Sequence, residues 1–111
     1  MNQHTSTYLK RRRKDLLRRL PSLETILRGS LIERYKRCGK PTCRCAQERG
    51  HGPKYYLSVS SPGAARPAMD YVPQEYKEQV EQYLSNYKLL REILEEVCSI
   101  NRELLARREE V

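Results

Sequence analysis

Three cysteines and a histidine fall within one short stretch: Cys38-Gly-Lys-Pro-Thr-Cys43-Arg-Cys45, then His51. The spacing is Cys-x4-Cys-x-Cys-x5-His. Thiolate and imidazole are soft and borderline ligands, and four of them close a tetrahedral Zn²⁺ site. Gly39 and Pro41 allow the tight loop that brings Cys38 and Cys43 together, and Gly50 and Gly52 let the backbone turn His51 inward. A structural zinc ion would also explain how the irregular stretch from Cys38 to Pro53 holds one shape. The one-residue gap between Cys43 and Cys45 is tighter than the common Cys-x2-Cys and strains a shared metal. Two other readings stand beside zinc. One is a reduced, solvent-accessible basic loop. The other is a redox-sensing loop, whose thiolates Arg37, Lys40 and Arg44 would favour. The expected metal set is Cys38, Cys43, Cys45 and His51, with Zn²⁺ as a structural cofactor. Cys98 stands apart, near the apolar side of a helical stretch, and reads as a packed core or interface thiol.

Basic and aromatic residues surround this cluster. Arg34, Lys36, Arg37, Lys40, Arg44 and Lys54 supply positive charge, and Tyr55 and Tyr56 follow directly. Lys and Arg contact phosphate, while Tyr rings stack on unpaired bases. Neighbouring strand residues point to opposite faces, so one ring of the Tyr55-Tyr56 pair should face the core and the other should not. A second basic set, including Arg11, Arg12 and Arg13, lies in the N-terminal segment and could run along a nucleic-acid backbone. Its plainer reading is an exposed face that keeps the protein soluble.

Five elements must position these residues. Ser6 or Thr7 caps a basic helix running to about Leu20, with Leu9, Leu16, Leu17 and Leu20 on one side. Pro21 opens a short second helix to about Arg28, and Gly29 ends it. From Ser30 to Arg37 the period changes to that of a strand. Tyr55 to Ser60 and Arg66 to Val72 form a hairpin around Ser61-Pro62-Gly63-Ala64. From Pro73 to about Arg108 there is no Gly and no internal Pro. Val80, Tyr87, Leu94 and Asn101 fall on one heptad position of that stretch, and Tyr76, Tyr83, Leu90, Val97 and Leu104 on the other. Leu84, Ile93, Ile100 and Leu105 widen the stripe. Such a helix is about 50 Å long at ~1.5 Å per residue and should overhang a body of this size, so either the leucine side of the basic helix covers part of it or a second copy does.

The chain has 111 residues, enough for one domain. Its segments are 6–29 (basic and helical), 30–72 (Cys/His loop and small sheet) and 73–108 (long helix). With no Phe or Trp and eight Tyr, the core must rest on Leu, Ile, Val and Tyr. The net charge of +8 is unevenly spread. Residues 1–59 hold 15 Lys and Arg against 4 Asp and Glu; residues 60–111 hold 7 against 10. A basic half favours polyanionic partners through neutralised phosphates and released counterions. No apolar run approaches the ~20 residues of a membrane span. No signal-peptide pattern is present, so reduced thiols and a cytoplasmic location are expected. Paired-carboxylate, phosphate-loop, HExxH and nucleophile-elbow signatures are all missing, so an enzyme is not expected. A Tyr nucleophile for strand transfer in mobile DNA, helped by Arg and His51, is the one enzymatic alternative.

The strings Leu27-Arg28-Gly29-Ser30-Leu31-Ile32-Glu33-Arg34-Tyr35, Arg37-Cys38-Gly39-Lys40-Pro41, Cys43-Arg44-Cys45-Ala46, His51-Gly52-Pro53, Tyr55-Tyr56-Leu57-Ser58 and Tyr71-Val72-Pro73 resemble a family of short bacterial and mobile-element proteins catalogued as a domain of unknown function. The resemblance runs from about Leu20 to Leu105. It implies the fold and the Cys/His site but brings no activity. Together these readings give an α+β fold: an N-terminal basic helix with a short second helix, a small antiparallel sheet with a Cys3His loop, and a long amphipathic C-terminal helix. The expected function is a small zinc-stabilised nucleic-acid-binding protein accessory to a mobile-element, phage or nucleoprotein system. The alternative is a protein-interaction module, an accessory subunit, inhibitor or regulator that docks a larger protein or a second copy through its C-terminal helix.

Overall fold

The computed structural model describes residues 4–36 and 51–109 and has the expected α+β architecture. Helix α1 (Ser6–Arg18) is followed by a three-residue 3-10 turn (Leu23–Thr25) and strand β1 (Ser30–Lys36). Strands β2 (His51–Val59) and β3 (Ala68–Val72) come next. A second 3-10 turn (Gln74–Tyr76) leads into helix α2 (Lys77–Ala106). The chain divides into two compact units, one formed by 1–26 with 85–111 and the other by Leu27–Leu84.

The first unit is an antiparallel helix pair. Its cross-contacts run in opposite directions along the two segments: Ser6 meets Glu109, Arg12 meets Glu96 and Thr25 meets Asn86. The cap of α1 is Thr5, one residue earlier than expected; its hydroxyl accepts the Tyr8 N–H at 3.1 Å. Leu9 and Leu16, two turns apart, bury against Ile93, Ile100 and Leu104, with Val97 packed beside them. The buried seam of α2 is therefore Ile93, Val97, Ile100 and Leu104. The Val97–Leu104 column is as the heptads predict, but its companion is Ile93–Ile100. Leu94 is half exposed, because α1 approaches from the side where the adjacent Ile93 and Ile100 present their side chains. Leu17 and Leu20 likewise stay largely exposed. Helix α2 ends in a Schellman arrangement: Glu109 N–H donates to Leu104 O and Arg108 N–H to Leu105 O, with Arg108 in the left-handed region at φ 57°.

The predicted short second helix from Pro21 to Arg28 does not form. Ser22 caps only the single 3-10 turn, and Ile26 is already extended. Its leucine cannot supply a helical apolar face, since Leu23 is 70% exposed.

The second unit is a three-stranded antiparallel meander, ordered β1-β2-β3. Glycine at position 29 is required: its φ is +141°, and a Cβ there would lie 2.6 Å from the Ser58 carbonyl oxygen. Gly29 thus serves the start of β1 rather than the end of a helix. Strand β2 starts four residues before the predicted run, at His51, and so takes in Gly52 and Pro53. A bulge makes room for them. Arg34 pairs with Lys54 and Lys36 with His51, so Tyr35 alone opposes Gly52 and Pro53. Proline in a strand is tolerated where its missing N–H interrupts no ladder bond, as at a bulge. Strand β3 reaches only as far as Tyr55, so nothing in the ladder pairs with Pro53 on its other side. One face of the sheet carries Tyr55, Leu57 and Val72, closed by Leu27, Leu31 and Val59 together with Val80 and Leu84 of α2. Leu27 N–H also donates to Tyr83 O at 3.1 Å. Among the described residues, no helix is long and apolar enough to cross a membrane.

Candidate nucleic-acid interface

The pleat sends alternate residues of each strand to the face opposite this core. The register fixes which of them meet. Ile32, Tyr56 and Tyr71 form one row across the three strands, Arg34 and Lys54 a second, and Ser58 and Met69 a third. The Tyr56 ring packs edge-to-face on Tyr71, centroids 5.8 Å apart at 66°. The Arg34 guanidinium carbon lies 5.8 Å from the Tyr56 centroid, within cation–π range. Arg34, Tyr35, Lys54 and Tyr56 line a shallow concavity. Tyr35 is held at its edge by donating its hydroxyl to Glu33 Oε1 at 2.7 Å.

The charge pattern is the informative part. Arg34 and Lys54 sit directly opposite each other, and like charges in register destabilise a sheet. Among the described residues, neither makes an ion pair with a carboxylate. Two adjacent cations beside aromatic faces suit an anion carrying flat rings.

The structure sorts the predicted nucleic-acid set. Tyr55 is buried on the core face, with the Lys77 ammonium 4.9 Å from its ring centroid, so Tyr56 alone of the pair is placed to stack. Arg34, Lys54 and Tyr56 come together on the open face. On α1, Arg11 is exposed and, with Thr7, Lys10, Arg13, Lys14 and Leu17, lines a shallow basic groove. Arg12 has a different task. Its Nε and Nη2 donate to the two carboxylate oxygens of Glu96 at 2.6 and 3.1 Å. That bidentate hydrogen bonding, and then the charge attraction, hold the Glu96 carboxyl below the usual glutamate range against the opposing effect of burial, and raise the Arg12 guanidinium. Arg13 donates from Nη1 to Asn101 Oδ1 at 2.5 Å, so it too is partly engaged within the helix pair.

Of the predicted metal set, Cys38, Cys43 and Cys45 lie outside the described residues, as do Arg37, Lys40 and Arg44. His51 is the first residue of β2 and pairs with Lys36, the last of β1. Among the described residues no cluster of His, Cys, Asp or Glu is arranged for a metal. Cys98, expected to be packed, is exposed on α2, one position past the seam residue Val97.

The sequence reading missed Tyr71 and Met69 as companions of Tyr56. Alternation in Met69-Asp70-Tyr71-Val72 could have placed Tyr71 opposite the buried Val72, but only the register sets it beside Tyr56.

The architecture is that of a small α+β protein with a sheet covered on one face. Within that class, the chain belongs to the family described as domain of unknown function (DUF6788), whose model matches residues 6–82. The match takes in α1 and the whole sheet and stops early in α2, short of the helix end where the resemblance in the sequence was placed. No curated protein and no solved structure matches the chain.

Proposed function

We propose that this chain is a small, zinc-stabilised nucleic-acid-binding protein, accessory to a mobile-element, phage or nucleoprotein system, that binds without catalysis. The observation that carries the reading is the open face of the sheet, where Arg34 and Lys54 face each other beside Tyr56. Cations contact phosphate and the ring offers a stacking surface, the two components of sequence-tolerant nucleic-acid binding. Arg11 and the basic groove of α1 add a second positive surface. Support for zinc comes from the Cys38, Cys43, Cys45 and His51 spacing, together with the Lys36–His51 pairing.

The test is the affinity of a labelled mixed-sequence oligonucleotide for the wild type and for Arg34→Ala/Lys54→Ala, followed by fluorescence anisotropy. Removing two phosphate contacts should weaken binding by about ten-fold or more at low salt and flatten its salt dependence. Unchanged affinity and slope would contradict the proposal. In that case the second reading takes over, a helix that docks a larger protein or a second copy, favoured by the exposed Leu89, Leu94 and Leu105 on α2.

A further inference from the structure

We infer that the open face of the sheet selects single-stranded over duplex nucleic acid, with Tyr71 as a second stacking platform beside Tyr56. The inference rests on the nucleic-acid reading and names its substrate class. Tyr71 is 58% exposed, and its ring meets that of Tyr56 edge-to-face rather than face-to-face. The two tyrosines are direct cross-strand partners. Their rings, 5.8 Å apart and steeply inclined, do not stack on each other and so leave ring surface available to two successive bases. Met69, 37% exposed on the same strand and face, extends the apolar floor beyond them. Arg34 and Lys54 lie at the opposite side of Tyr56 from Met69 along the strands, where they meet the backbone of the same strand.

Single strands and duplexes differ in what they can offer such a face. Bases inside a duplex are stacked on one another and paired, so their flat faces are hidden. Unpaired bases can be splayed and laid on aromatic side chains of a sheet, with cations following the phosphates. A duplex would meet only the two cations here. Tyr55 gives the internal contrast: the same residue type, one position away, is buried in the core.

The experiment compares a labelled single-stranded oligonucleotide, as DNA and as RNA, with a self-complementary hairpin of the same base composition. It uses the full chain at one fixed salt concentration. The wild type should bind at least one of the single strands about ten-fold or more tightly than the hairpin. Tyr71→Ala should lose about ten-fold or more on the single strand and little on the hairpin. Tyr76→Ala removes another exposed tyrosine, one that lies off the sheet, and should change neither affinity. Circular dichroism confirms that each variant is folded. Equal binding of single strand and hairpin, with Tyr71→Ala neutral, would overturn the single-strand inference while Arg34→Ala/Lys54→Ala still weakens both. Absence of binding to every probe would overturn this inference and the nucleic-acid reading together.

Discussion

Arg12 shows how little of a charged residue's role is visible in its type. In the sequence it is one of a run of five cations; in the fold it is clamped on Glu96 and helps hold α1 against α2. A depressed carboxylate contributes stability that is fully present above the ordinary glutamate value of about 4.3 and is lost as pH falls through the lowered folded value. Glu96→Gln should therefore melt below the wild type at about pH 6, and the gap should narrow at about pH 3. A gap of the same size at both pH values would show that the ion pair is not its source. The Tyr55-Tyr56 pair was legible to the extent that alternation required one ring inside and one outside. Which ring it was, and that Tyr71 would join it, depended on strand register, which neighbouring residues alone do not encode. Arg13 was similarly opaque, because its acceptor, Asn101, lies on the other helix.

The elements were more legible than their contacts. The strand period of Ser30 to Arg37, the hairpin after Tyr55 and the long stretch without Gly or Pro each correspond to an observed element. Two misreadings have physical causes. Pro21 and the apolar spacing of Leu23, Ile26 and Leu27 suit a helix, yet Leu27 is instead drawn into the sheet's core and its N–H to Tyr83 O. The breakers at Gly52 and Pro53 suggested a loop, but a bulge opposite Tyr35 admits both into β2. That bulge matters for the zinc proposal, since it lies next to the pairing that sets His51 beside the end of β1. Metal analysis of purified protein should give about one zinc per chain, lost together with folding in Cys43→Ser. Metal-free wild type with an unchanged thermal transition would remove zinc from the account without touching the sheet face.

The net charge of +8 is unevenly spread along the sequence. Positive charge concentrates before Ser60, while the whole of α2 belongs to the mildly acidic remainder. Part of α1's charge is used within the helix pair, through Arg12 and Arg13, and part remains exposed at Arg11 and the basic groove. The sheet unit adds Arg34 and Lys54, arranged against each other at a cost that an anionic partner would relieve. Composition alone suits a polyanionic partner or a solvated surface, and only the fold separates charges used within the helix pair from charges left exposed. The most direct test of polyanion binding is the affinity of the wild-type chain for a single-stranded oligonucleotide as salt is raised from about 50 to about 200 mM. Several phosphate contacts require log K to fall linearly with log salt, with a slope of about −0.7 per contact, so a total of about −2 or steeper is predicted. A flat line would contradict the account.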